Sequence, residues 1–124
     1  ILQGKRLNMT KETYQMIVNR SLSWINRSEL KISISVKNVR GGRAWYDTKE
    51  IEMPLWINNF DVIYQIYYII HELVHCLTGH KHDKDFKLVE DCLLRMWGIE
   101  IKRKRVYPKE LKFNGKIVTN IPSF

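Results

Sequence analysis

From Phe60 to Leu77 apolar residues return every three or four positions, and two histidines and a glutamate are set inside the second half of that repeat. Phe60, Ile63, Tyr67, Ile70, Val74 and Leu77 form one seam, and Val62, Ile66, Ile69, Leu73 and Cys76 form a second beside it. Two adjacent seams predict a helix that is apolar over most of its circumference and largely buried. Its second half reads His71-Glu72-Leu73-Val74-His75. Residues four apart stack on one face of a helix, so the two imidazoles come close enough to share a metal ion. Glu72 is turned from His71 by about 100°, which sets its carboxylate beside such an ion instead of on it. A buried helix carrying these groups without a ligand would hold costly unpaired polar atoms. The chain has to be built around this helix, and the residues on it point to a metal centre.

Zinc with such ligands lowers the pKa of its bound water to about 7, and Glu72 is placed to accept that water's proton. This is hydrolase chemistry, most often peptidase chemistry. A third protein ligand is expected. Thr78-Gly79 predicts the end of the helix, Gly79 suiting the left-handed position after the last turn. The chain continues His80-Lys81-His82-Asp83-Lys84-Asp85-Phe86. A metzincin pattern would want glycine at 78 and histidine at 81, where this chain has Thr78 and Lys81. A gluzincin pattern would want an acid on a following helix, for which Glu90, Asp91 and Glu100 are the nearby choices. His82 is the preferred third ligand, His80 the second choice, and an acid comes after both.

His71-Glu72-Leu73-Val74-His75, a short gap, then His82-Asp83-Lys84-Asp85-Phe86 resembles the SprT-like metallopeptidases and the related small zincins of the WLM group. Their pattern is His-Glu-x-x-His, a variable insert, then His-x-x-x-Phe opening the next helix. The resemblance implies that His71, His75 and His82 hold one Zn2+, that Glu72 is the catalytic residue, and that Phe86 packs the ligand-bearing turn. It extends over residues 10–97 in the order of elements, while the specific motif is confined to residues 71–86. Asp83 departs from the glycine or serine that members often carry, and the C-terminal zinc-binding cysteine cluster of some members is missing. The resemblance further implies a sheet edge that holds an extended substrate by backbone pairing, with Ala44 to Asp47 or Ile51 to Met53 as the two choices.

Periodicity sets the rest of the organisation. Thr10 can cap a helix whose apolar positions are Tyr14, Ile17, Val18, Leu22 and Ile25. Leu30, Ile32, Ile34 and Val36 alternate with polar residues as a half-buried strand. Gly41-Gly42 marks a turn before a second strand at Ala44-Trp45-Tyr46. A third carries Ile51, Met53 and Leu55, and Pro54 ends it or puts it at an edge. Asn58 or Asn59 can cap the metal helix. A last helix opens near Asp83, buries Phe86, Val89, Leu93 and Met96 or Trp97, and closes at Gly98. The expected fold class is α+β: a minimal zincin-like domain with an N-terminal helix, an antiparallel sheet of about three strands, the metal-bearing helix and a following helix. Residues 1–98 form that domain, and 99–124 a basic strand and tail packed on it or extending from it.

A length of 124 residues allows one core without staples. Asp61, Gln65 and several tyrosines interrupt the apolar run, which makes it a core helix and excludes a membrane span. The chain opens at Ile1, leaving a fragment or a processed product open, and nothing near it resembles a secretion signal. Cys76 and Cys92 sit on apolar helical positions and read as reduced core residues, with a disulfide between them left open. The setting expected from them is reducing, intracellular and cytoplasmic. The net charge is +8, much of it in Lys102-Arg103-Lys104-Arg105 with Lys109, Lys112 and Lys116 beyond. Such a block attracts phosphate backbones, and also suits a solvated tail or an acidic partner. Tyr107 and Phe113 give too little aromatic interleaving to support base stacking.

Tyr46, Tyr68 and Tyr107 are candidate donors to a developing oxyanion. Asp83, Asp85 and Glu90 are candidate acceptors for the imidazole N–H groups. Three readings stand at this point. The first is a zinc peptidase cutting protein or peptide substrates, with nucleic-acid-associated proteins among them. The second is a zinc-stabilised module that binds protein or DNA without cutting. The third is a basic nucleic-acid-binding domain whose histidines are fortuitous.

Overall fold

Helix α1 (Lys11–Trp24) starts where the Thr10 hydroxyl accepts from the amide of Thr13 at 3.3 Å in the computed structural model, which describes residues 9–123. The readings made on Ile1 and the N-terminus lie outside those residues. One face of α1 buries Tyr14, Ile17, Val18 and Leu22, as the periodicity predicts. Strands β1 (Ser33–Lys37), β2 (Arg43–Trp45) and β3 (Glu50–Pro54) follow and form one sheet in the order β1-β3-β2.

The sheet is mixed, which corrects the antiparallel arrangement expected. β2 runs antiparallel to β3, but β1 runs parallel to it, with Ile34 beside Ile51 and Val36 beside Met53. The physical reason is burial. Ile51 and Met53 are 1% and 0% exposed, so the most deeply apolar strand takes the centre although it is the last of the three in sequence. Pro54 closes β3, and a 3₁₀ turn over Leu55–Asn59 comes before the metal helix α2 (Val62–Thr78). That turn displaces the expected cap. The buried Asp61, not Asn58 or Asn59, accepts from the amide of Ile63 at 2.8 Å, and Asn58 instead accepts from the amide of Met9.

Helix α2 runs through the middle of the domain with Ile69, Ile70, Leu73 and Val74 fully buried, so the two-seam pattern describes it well. Helix α3 (Lys84–Met96) opens at Asp83, where a helix start is expected, with the Asp83 side chain as its cap, and Phe86 and Leu93 are buried. Its inward line also takes Glu90 and Leu94, while Met96 is exposed and Trp97 leans its ring on Trp24. Cys92 consequently faces outward, against the expectation of a core residue, while Cys76 is buried; both are free thiols.

Gly98 turns the chain at φ 79° into β4 (Ile99–Lys104), β5 (Tyr107–Phe113) and β6 (Lys116–Ile117), a second sheet with antiparallel pairing throughout. The expected strand and tail is therefore a three-stranded meander. Leu111 and Val118 are buried, and the density of lysine and arginine around them masks that inward pattern in the sequence. β4 and β5 pack against α3 and α2. Together these elements make a small α+β domain. No helix among the described residues is long and apolar enough to cross a membrane.

Candidate metal centre

His71 and His75 stand one turn apart on the part of α2 left open by the core, with ring centroids 4.9 Å apart. Gly79, at φ 110°, lets the chain leave the helix in a conformation that other residues rarely adopt. The segment after it doubles back before Asp83 caps α3 through the amide of Phe86 at 3.0 Å. That return places His82 Nε2 3.1 Å from His75 Nε2 and 3.3 Å from His71 Nε2. The Phe86 ring packs against all three imidazoles, with centroids 5.0, 4.6 and 4.9 Å away. His80 stays exposed on the rim and outside the cluster.

The outer nitrogens decide what the inner ones present. His75 Nδ1 lies 2.8 Å from the carbonyl of Gly79, and His71 Nδ1 lies 2.6 Å from Glu90 Oε2. A carbonyl or carboxylate oxygen accepts a hydrogen bond, so each ring donates from Nδ1, and in the neutral ring this leaves an Nε2 lone pair turned inward. Burial pushes His75 down to about 4, which keeps that ring neutral. One proton on His82 can serve only one of two lone pairs, whereas a cation serves all three nitrogens. A tetrahedral ion with metal–nitrogen bonds of about 2.0–2.1 Å sets its ligand nitrogens about 3.3–3.4 Å apart. The separations found here fit an ion of that size, and His71, His75 and His82 are the residues that can hold it.

Behind His71 lies a buried charge network. Glu90 is fully buried, and its Oε1 accepts from Arg103 Nε at 3.2 Å and Nη2 at 2.7 Å. The same Nη2 reaches Asp91 Oδ1 at 2.6 Å. Burial works to raise Glu90, but the hydrogen bond from His71 and the Arg103 guanidinium outweigh it and hold the carboxyl below its ordinary range. Of the three acids considered as imidazole acceptors, Glu90 serves; Asp83 is spent on its cap and Asp85 is exposed. Glu90 meets His71 on the side away from the Nε2 cluster, Asp91 is taken by Arg103, and Glu100 is exposed on β4, so among the described residues no acid joins the three histidines.

Arg103 was read with the basic run, yet period-two alternation from Ile99 and Ile101 puts it on the inward face of β4. That was the signal for it. Replacing Arg103 by glutamine is expected to weaken metal binding by about tenfold, the low end of the range for lost outer partners of ligating histidines, because it acts on His71 through Glu90. Lysine at this position should restore little, having no planar fork to span Glu90 and Asp91. Competition against a chromophoric chelator measures both.

Glu72 is 6% exposed and lines the cleft beside His71. Burial raises its carboxyl to about 7, against a pull from His71. Gly42 lies directly over it. A Cβ added there would fall 2.5 Å from Tyr68 Cε1 and 3.2 Å from Glu72 Oε2, and the Gly42 amide donates to Tyr68 Oη at 2.8 Å. Gly42→Ala is accordingly expected to push the 40–43 segment off the site, at a cost of about 1–3 kcal/mol in stability. Thermal melting gives the cost, and chelator competition shows whether the histidines keep their positions.

Of the three tyrosines considered as oxyanion donors, Tyr68 and Tyr107 line the cleft, while Tyr46 lies outside it with the Lys49 ammonium over its ring. Tyr67 was missed; its Oη sits 3.4 Å from His71 Nδ1. The Gly79 carbonyl was missed as well, and no side-chain pattern could have revealed a backbone acceptor. The cleft has a volume of about 770 Å³ and runs between residues 40–45 and 106–108 above α2.

No protein-family model and no curated protein sequence matches this chain. Among solved structures, the crystal structure of the metallopeptidase zymogen of Pyrococcus abyssi abylysin is similar. The TM-score is 0.55, at 14% identity, over 63% of this chain and 76% of that one. At that identity the likeness speaks for the fold alone, a small α+β domain of zincin-like architecture.

Proposed function

We propose that this protein is a zinc-dependent endopeptidase of the SprT-like, WLM-related kind, with His71, His75 and His82 holding one Zn2+ and Glu72 as general base. One observation carries the reading: three Nε2 atoms converge, two with their lone pairs set inward by Glu90 and Gly79, beside a buried carboxylate. When bound, the ion supplies a Lewis acid and a water acidic enough to ionise near neutrality. Glu72, buried in the cleft beside His71, is placed to take a proton from that water and return it. Tyr68 Oη accepts from Gly42 and keeps its own hydrogen to donate toward a developing oxyanion.

The sheet order favours one substrate edge over the other. β3 is paired on both sides, so Ile51 to Met53 has no free edge. β2 is paired to β3 alone, and Arg43, Ala44 and Trp45 line the cleft. A substrate laid along β2 would pair with its backbone and pass over the histidines.

The test is cleavage of an unfolded protein substrate that is lost on chelation and restored by zinc. A chain that binds zinc stoichiometrically and cuts nothing would favour the zinc-stabilised binding module instead. Association with nucleic acid is the weaker part of the proposal, because Arg103 is drawn out of the basic run toward Glu90 and Asp91.

A further inference from the structure

Beyond Tyr107 and Pro108, which form part of the wall of the cleft, lies a second cavity of about 570 Å³ that shares those two residues. Lys104, Arg105 and Lys109 line it over an apolar floor that includes Ile121 and Pro122. No ion pair engages these three cations among the described residues. The 40–45 wall of the first cavity adds Arg40 and Arg43, both exposed. Among the described residues lining the two cavities, Glu72 is the only acid. Between the two basic groups the surface is aromatic, with Trp45, Trp56, Tyr68 and Tyr107 around the histidines. A cleft of one charge sign with low-dielectric walls concentrates ligands of the opposite sign. Aromatic walls hold large apolar side chains.

Resting on the peptidase reading, we infer that the joined cavities take acidic peptide segments. The central residues of the segment are large and apolar and lie against the aromatic wall. Carboxylates flanking them are met by Arg40 and Arg43 from one segment and by Lys104, Arg105 and Lys109 beyond Tyr107. A polypeptide fits better than a nucleic acid for two reasons. The edge strand β2 lines the first cavity, which shares Tyr107 and Pro108 with the second, and a strand edge pairs with a peptide backbone and not with phosphates. Arg103 is also missing from the row of cations that a phosphate backbone would follow.

The experiment uses zinc-loaded Glu72→Gln protein, so that bound peptide is not consumed, and fluorescence anisotropy of labelled ligands. The ligands are a peptide with aspartate and glutamate around a central phenylalanine, its lysine-substituted counterpart, and oligothymidylate. The acidic peptide is expected to bind at least about tenfold more tightly than its counterpart, with the margin shrinking as salt is added. Adding Lys104→Glu and Lys109→Glu together, or Arg40→Glu and Arg43→Glu together, should abolish most of that margin. Lys11→Glu with Arg20→Glu changes the net charge equally on α1, outside both cavities, and should leave most of it. Zinc content and melting temperature show that each variant is folded.

Equal losses from the α1 pair and the cavity pairs would reduce the effect to overall charge and overturn the inference. So would oligothymidylate binding more tightly than the acidic peptide and being lost in the same variants. Cleavage by the wild type separates the two proposals. If acidic peptides bind as described but no peptide is cut, the peptidase reading falls and the acid-binding trough stands. If peptides are cut without regard to their charge, the trough falls and the peptidase stands.

Discussion

Glu72→Gln is expected to lower peptide cleavage by about 10²–10⁴-fold, the range for a positioned general acid–base group, while zinc stays bound in full. The loss should fall on kcat, because Glu72 moves a proton instead of holding the ion or the peptide. The same substitution carries a second expectation of opposite sign. Burial lifts the Glu72 carboxyl from an ordinary 4.5 to about 7, so between those values the folded chain holds a proton that the unfolded chain has released. Stability of the chelated protein therefore falls as pH rises from 4.5 to about 7, by about 3 kcal/mol in total for a shift of this size. Glutamine carries no such charge. The chelated variant should melt well above the chelated wild type at pH 8 and close to it at pH 4. Undiminished cleavage, or a loss of zinc along with activity, would remove Glu72 from the role proposed for it.

The second large effect separates the two loop histidines. His82 completes the Nε2 cluster and His80 does not. His82→Ala is expected to weaken zinc by more than the roughly 100-fold upper range for an outer partner, since it deletes a donor atom; His80→Ala should change it by no more than about twofold. Thermal melting reads the same difference. Free zinc at a hundred times its dissociation constant stabilises a folded chain by about 2.7 kcal/mol, roughly 10 °C for a domain of this size. That rise should appear in the wild type and in His80→Ala and be absent from His82→Ala at the same zinc concentration. Equal, small effects from both substitutions would leave the third ligand elsewhere.

What the sequence disclosed about this site is what covalent spacing controls. A separation of four on a helix forces His71 and His75 onto one face, and Gly79 followed by the Asp83 cap leaves His82 little choice but to return over them. The cap at Thr10 and the helix start near Asp83 were legible for the same reason, being local. Partnership across the fold was not. Alternation in residues 30–36 and 50–55 tells which side of a strand is buried but not which strand lies beside it, so the parallel β1–β3 pair could not be read. The start of α2 was misplaced because the 3₁₀ turn at Leu55–Asn59 uses up the residues that would otherwise cap it. Arg103 shows how charge misleads: counted with its neighbours it belongs to a basic patch, but strand periodicity turns it inward to a buried carboxylate.

Arg103 belongs to β4, and through Glu90 it reaches the ring that faces the other two imidazoles. Two regions distant in the chain thus share one energetic fate. Whatever occupies the histidines fixes the ring of His71, and with it Glu90, the guanidinium and the strand that carries it, so amide exchange along 99–104 should slow when the centre is filled. Linkage is reciprocal. A protein or ligand that clasps the β4–β5 hairpin from outside would tighten the hold of the histidines without touching them, giving the C-terminal sheet a hand in setting how readily the centre is emptied.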